Sequence, residues 1–242
     1  MDHKKLCVFN WSGGKDSTLA LHHVLQDKTL EVKYLLTTIS EEYNRVSMHG
    51  LRVSLLRKQA YSIGIKLYEI YLPENASMES YTILMDHHLE KLKNEGITHS
   101  IFGDIFLEDL KCYREEKNAS IGLETIFPIW GRDTKKVINE FLALNYKTII
   151  ICAQQNLAAY CGKIIEADLI ESLPSEVDVC GENGEFHTFT FAGPIFKQKL
   201  SFRVGEKVNR TYGIAKTMQI GGNQTQTTTD QIGYWFIDLI EV

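Results

Sequence analysis

The sequence predicts an α/β protein built on an open parallel sheet, followed by a smaller α+β segment. Short apolar runs alternate with helix-period patterns over about the first 150 residues, the signature of strands joined by crossover helices. A glycine-rich string, Trp11-Ser-Gly-Gly-Lys-Asp-Ser17, stands where the first strand gives way to the first helix. After residue 155 the chain turns aromatic and β-rich.

Taken in order, residues 6–11 read as a buried strand and 16–26 as a helix. Residues 31–39 form the second strand. A helix from about residue 50, with Leu51 and Leu55 one turn apart, ends at Gly64. Residues 66–72 are a strand stopped by Pro73. Met78, Tyr81, Met85, Leu89 and Leu92 step by three and four, which predicts an amphipathic helix ending at Gly96. Strands follow at 97–102, 124–129 and 148–152, with helices near 107–117 and 134–144 between them. This alternation implies parallel βαβ units covered on both faces. A short helix at 166–172 leads to Pro174, and strands are expected at 187–191, 200–204 and 234–240. Gly221-Gly222 and the threonine-rich residues 225–229 read as a mobile loop between strands.

Composition narrows the function classes. The 242 residues are 44% hydrophobic and carry a formal charge of −5, so a core is available and no global positive field favours nucleic acid. Cys7, Cys112, Cys152, Cys161 and Cys180 form no CxxC pair and read as reduced residues rather than a disulfide or zinc framework. No apolar run approaches the roughly 20 residues of a membrane helix, and no signal-peptide pattern opens the sequence. A cytoplasmic protein without a membrane partner is expected.

The first glycine-rich string suits a polyphosphate. Gly13 and Gly14 let the backbone turn sharply and bring N–H groups against an anion, while the following helix aims its positive end at the same point. Lys15 adds a point charge, Ser12 and Ser17 add hydroxyl donors, and Asp16 is the candidate metal carboxylate. It is not a Walker A loop, because Asp16 follows Gly14-Lys15 where that motif needs Ser or Thr. The second unusual string is Cys180-Gly-Glu-Asn-Gly-Glu-Phe-His-Thr-Phe189. Its glycines bracket Glu182 and Glu185, with Asn183 between and His187 behind. These side chains could orient an amine, hold a metal ion or act as a base; a plain polar turn is the alternative.

The Ser12–Ser17 string resembles the signature of the pyrophosphatase-loop ATPases, which implies a Rossmann-like sheet of the HUP type binding ATP with Mg2+. In that group the loop holds the β and γ phosphates, a carboxylate or activated carbonyl oxygen attacks the α phosphorus, and pyrophosphate leaves. The two strings together, with Pro128-Ile-Trp-Gly-Arg-Asp133, resemble the diphthine–ammonia ligase family over about residues 6–204. The resemblance implies ligation of ammonia to a carboxylate with release of AMP and pyrophosphate. The acceptor would be diphthine on an elongation factor. Segments 103–114 and 44–52 depart from the family pattern, so the ATP chemistry transfers better than the acceptor. The rivals are another carboxylate acceptor, a tRNA-modifying adenylase and a nucleotide-binding regulatory module. A homodimer is compatible with all of them.

On this reading residues 1–131 form the ATP-binding domain and 132–242 the substrate domain. Lys15, Asp16, Arg132, Glu182 and Glu185 are the expected catalytic residues. ATP is expected to meet Ser12, Gly13, Gly14, Lys15, Asp16, Ser17, Thr37, Thr38 and Gly103. His49, Asp104, Arg132, Glu182, Asn183, Glu185 and His187 are the expected acceptor contacts. Asp104, Glu108 and Arg114 could line the same cleft, but a solvated helix face is the preferred reading of Glu108 and Arg114; His87 and His88 read as surface residues.

Overall fold

The computed structural model describes residues 4–47, 49–74, 77–219 and 225–242, with the backbone alone for 213–219 and 225–230. The first sheet contains β1 (Lys5–Asn10), β2 (Leu30–Ser40), β3 (Arg45–Val46), β4 (Lys66–Leu72), β5 (His99–Ile101) and β6 (Glu124–Ile126). Its parallel strands run in the order β4-β2-β1-β5-β6, and the two-residue β3 pairs antiparallel with the end of β2. The order reverses at β1, so the crevice beyond its carboxyl end is where an open α/β sheet receives a ligand.

Residues alternate across this sheet and both sides are covered. Val8 joins Tyr34, Leu36, Ile70, Leu89 and Leu92 in one apolar cluster, beneath α3 (Met78–Asn94) and α4 (Glu108–Ile121). Cys7 and Phe9 point the other way, into a larger cluster with Leu19 and Leu21 of α1 (Lys15–Gln26) and Leu55 and Leu56 of α2 (Val53–Ile63). Such two-sided burial explains why these strands are apolar runs.

The second sheet is antiparallel, in the order β8-β7-β10-β9, from β7 (Lys147–Gln154), β8 (Phe186–Ala192), β9 (Phe202–Gln219) and β10 (Thr225–Glu241). Ile149, Ile151, Phe189 and Phe191 belong to the same cluster as α1 and α2. Those helices are therefore sandwiched between the sheets, in a core separate from the cluster on the first sheet's other face. Helix α5 (Thr134–Ala143) adds Val137, Ile138 and Phe141 to it, and α6 (Ala167–Glu171) follows a short 3-10 turn at Gln155–Tyr160. No helix among the described residues is long and apolar enough to cross a membrane.

Three expectations need correction. Residues 148–152 belong to the second sheet, because β7 pairs antiparallel with β8 and β10. Residues 225–229 are strand, paired one to one with 215–219, as β-branched threonine favours. Gly221-Gly222 lies outside the described residues. The helix expected from about residue 50 begins at Val53, because Arg45–Val46 form β3 and residues 49–52 precede the helix in extended and turn conformations.

Candidate active site

The loop after β1 is held by both sheets. Gly13, at φ +79°, offers its carbonyl to the Thr190 N–H at 2.9 Å and to Gln59 Nε2 at 2.9 Å. The fully buried Gln59 also accepts from Trp11 Nε1 at 3.1 Å and donates to the Thr190 carbonyl at 2.6 Å. Lys15 donates its N–H to Thr188 Oγ1 at 3.0 Å. The hydroxyls of Ser12 and Ser17 lie 3.0 Å apart, and the Gly14 N–H donates to Ser12 Oγ at 3.2 Å. The first-turn amides of Asp16 and Ser17 have no carbonyl partner among the described residues. They are the donors a helix N-terminus leaves for an anion.

The loop opens into a cleft of about 1140 Å³, also lined by Thr37, Thr38, Gly103, Asp104, Arg114, Glu182 and His187. This exceeds the common range for a small-molecule pocket and suits a nucleotide with a second substrate. Gly103 has a packing role: an added Cβ would stand 2.9 Å from the backbone N and Cα of Ser17. Its bare backbone lets the end of β5 meet the start of α1. Thr38 already uses its carbonyl to accept the Ser47 N–H at 3.1 Å.

Charge is concentrated here. Lys15 is 3% exposed and holds Asp16 Oδ2 at 2.7 Å, contacts the carbonyl of Cys180, and lies over the Phe186 ring. Burial works against its ammonium, but Asp16, Cys180 and Glu182 outweigh it and raise its pKa. Burial raises the pKa of Asp16 against the pull of Lys15, and Asp16 Oδ1 is buried without a partner among the described residues. Glu182 accepts the Ile105 N–H at 2.7 Å; burial, then the Asp16 charge, pushes its pKa up to about 7. Asp104 binds Arg114 at 3.1 Å, yet burial still raises its pKa and its Oδ2 has no partner among the described residues. Arg114 also stacks over Phe102 at 4.2 Å.

Among the described residues, no three His, Cys, Asp or Glu side chains converge to hold a metal alone. The donor set fits Mg2+ shared with phosphates, since this ion commonly takes one or two carboxylates and leaves the rest to substrate and water. The unpartnered Oδ1 of Asp16 is suited to that.

With this geometry in view, the sequence matches the family description "Diphthamide synthase N-terminal domain" over residues 5–125 and "Diphthamide synthase C-terminal domain" over residues 133–221. The chain belongs to the diphthamide synthase family. Relatives of this family chain include the diphthine–ammonia ligase of Danio rerio, 24% identical over 187 residues, covering 72% of this chain and 71% of that one. The Mus musculus enzyme of that name is 27% identical, with coverage of 72% and 67%, and that of Homo sapiens 26%, with 69% and 64%. A solved structure of a predicted subunit of tRNA methyltransferase from Methanocaldococcus jannaschii aligns with TM-score 0.40 and 16% identity. That alignment covers 81% of this chain and 99% of the other.

Three expected site residues of this family chain do not line the cleft: Gly13 is tied behind it by its carbonyl bonds, and Arg132 and Glu185 lie elsewhere. Arg132 pairs with Glu140 and contacts His23 Nε2 at 3.2 Å, so its charge is spent between α1 and α5, away from the cleft. Asp133, next to it, caps α5 by accepting the Lys136 N–H at 3.0 Å. Glu185 does not line the cleft either. Buried behind the loop, its Oε1 accepts from the Asp178 N–H and from Asn183 Nδ2, both at 3.0 Å. Asp178 in turn accepts from the Cys180 and Glu182 amides at 3.1 and 3.0 Å. Glu185 and Asp178 thus brace the loop that presents Glu182, Asn183 and the Cys180 carbonyl.

Sequence reasoning missed Asp178 and Thr188 and ranked the cleft position of Arg114 second. Thr188 stood inside the second string and Asp178 two residues before it, so both were within reach. For Arg114 the cleft and a solvated helix face are both open from sequence, and the pair with Asp104 on the preceding loop decides for the cleft.

Proposed function

We propose that this chain is an AMP-forming ligase that adenylates a diphthine-like carboxylate with ATP and transfers ammonia to it. The observation that carries the reading is a pyrophosphatase-type loop clamped at the mouth of a cleft with Lys15 buried beside it. Membership of the diphthamide synthase family and relatives named diphthine–ammonia ligase support the same chemistry. Residues 1–131 would supply most of the ATP side and 132–242 would complete the acceptor side. A cytoplasmic setting suits an elongation-factor acceptor.

In this reading the amides of Asp16 and Ser17 and the hydroxyls of Ser12 and Ser17 hold the β and γ phosphates. Lys15 neutralises charge as the pyrophosphate departs, a preorganised contact that needs no rearrangement in the transition state. Mg2+ supplies further neutralisation when bound, with Asp16 as its protein carboxylate. Thr37, Thr38 and Gly103 border the space for the nucleoside. The acceptor carboxylate attacks the α phosphorus and the α–β bridging bond breaks, leaving an acyl adenylate. Glu182, Asn183 and Asp104 face the acceptor and the incoming nitrogen. Alignment of the three reactants in one cleft is the main contribution.

Incubation with ATP, magnesium chloride, ammonium chloride and diphthine-bearing elongation factor, followed by nucleotide chromatography, tests the proposal. AMP and pyrophosphate in equal amounts, dependent on the acceptor, are expected. ADP and orthophosphate would overturn it. A panel of free carboxylates in place of diphthine tests the breadth of the acceptor site.

A further inference from the structure

His49 and His187 come from distant parts of the chain, yet their ring centroids lie 4.4 Å apart with the planes tilted by 40°. Both line the cleft, and His187 directly precedes Thr188, the residue that binds the Lys15 amide. His49 Nδ1 lies 3.2 Å from the Ser47 carbonyl oxygen. A carbonyl only accepts, so Nδ1 carries the proton and neutral His49 presents a bare Nε2. His187 has no hydrogen-bond partner among the described residues, so its neutral ring offers one further acceptor nitrogen.

The surroundings disfavour the charged form of both rings. Burial lowers the pKa of His49 and, more strongly, that of His187, where His49 and then Lys15 add to the effect. The other titratable groups lining this cleft near the second sheet are Cys152 on β7, Glu182 in the loop, and Tyr212 and Tyr234 on β9 and β10. Cys152 is the cross-strand partner of His187, and burial pushes its thiol up to about 12, so it brings no charge.

Two bare imidazole nitrogens on one cleft wall form a particular recognition element. They accept N–H hydrogens but supply no negative charge to hold an ammonium ion. We propose that His49 and His187 are the site that takes neutral ammonia in this cleft and receives its surplus proton. The proposal rests on the ligase reading for its place in the reaction, not for the binding itself. Ammonia offers its hydrogens to the two rings and keeps its lone pair free. The lone pair forms the C–N bond, and the bond from the acyl carbon to AMP breaks with its electron pair on the phosphate oxygen. One proton from the nitrogen passes to His49 Nε2, where the Ser47 carbonyl steadies the resulting imidazolium through Nδ1–H. His187 holds a second hydrogen and orients the nucleophile.

The test is ring 1H–15N spectra of the full chain titrated with ammonium chloride, with potassium chloride as the ionic control, at neutral and mildly alkaline pH. The rings of His49 and His187, assigned through His49→Gln and His187→Gln, should respond to ammonium chloride alone. The midpoint in total ammonium should fall about tenfold per pH unit, as the free base grows at the expense of its conjugate acid. Either substitution should abolish the response of the remaining ring; His187→Asn serves if His187→Gln does not fold. A midpoint independent of pH, an equal response to potassium, or no response would overturn the proposal. So would rings that move only with magnesium–ATP, which would assign the pair to the phosphates. Pyrophosphate–ATP exchange with the acceptor and no ammonia tests the ligase reading separately. Exchange without an ammonia response removes the site alone; an ammonia response without exchange removes the ligase reading and leaves the site.

Discussion

The hydroxyl of Thr188 accepts the backbone N–H of Lys15 at 3.0 Å, across 173 residues of sequence. The bond sits within the strand β8 that also donates the Thr190 N–H to Gly13. It fixes the peptide from which the Lys15 side chain enters the cleft.

Removing the hydroxyl while keeping the shape should separate loop geometry from lysine charge. Thr188→Val leaves the buried Lys15 N–H unpaired, at a cost of about 1–3 kcal/mol in stability, and should weaken ATP binding. Lys15→Ala should instead slow adenylation about a hundredfold, the size of a lost charge-stabilising contact. Thermal unfolding, ATP calorimetry and acceptor-dependent pyrophosphate release distinguish the two. Equal effects on all three would mean the lysine acts only through the fold.

Glu182 and Glu185 should behave differently. Glu182→Gln can keep the contact to the Ile105 N–H but loses the charge facing the substrates, so ATP should bind while product formation fails. Its pKa of about 7 lies above that of an unfolded glutamate, so its contribution to stability is complete at acid pH and is lost as pH rises through about 7. Melting temperature against pH should therefore be flatter in Glu182→Gln than in the parent. Glu185→Ala strands the Asp178 N–H and the Asn183 amide; it should destabilise the protein by about 1–3 kcal/mol. A Glu185→Ala protein that melts normally would show that the brace is dispensable.

Gly103→Ala should impair ATP binding from outside the phosphate loop. The new methyl group would meet the Ser17 backbone at 2.9 Å, which a side-chain rotation cannot relieve. Overpacking of this kind commonly costs about 1–3 kcal/mol and would push the start of α1 away from β5. An unchanged affinity for ATP would show that the loop tolerates the shift.

Replacing Cys152, Cys161 and Cys180 by serine or alanine should leave turnover intact. All three are free and buried, and Cys180 meets Lys15 through its main-chain carbonyl rather than its sulfur. Activity assays on folded variants check this; loss of turnover would point to thiol chemistry.

What was legible in the sequence followed from how local each signal is. The parallel strands and α1 were readable because the apolar period and the Gly13-Gly14 turn are properties of short segments. The partner of a buried strand is not, and β7 was therefore assigned to the wrong sheet. Glu182 and Glu185 look equivalent in a string of polar residues. They diverge because Gly181 and Gly184, at φ +69° and +83°, turn one carboxylate into the cleft and the other behind it. Arg132 sat beside a helix start at a plausible sheet edge, but Glu140, two turns along α5, claims its guanidinium.

The bonds from Thr188 and Thr190 to the phosphate loop bear on how this protein can be taken apart. The Ser12–Ser17 string is contiguous, yet two of the contacts that shape it come from a strand more than 170 residues downstream. A chimera that borrowed only the first 131 residues would inherit the motif without its mould. To graft the loop's geometry onto another acceptor module, β8 must travel with it.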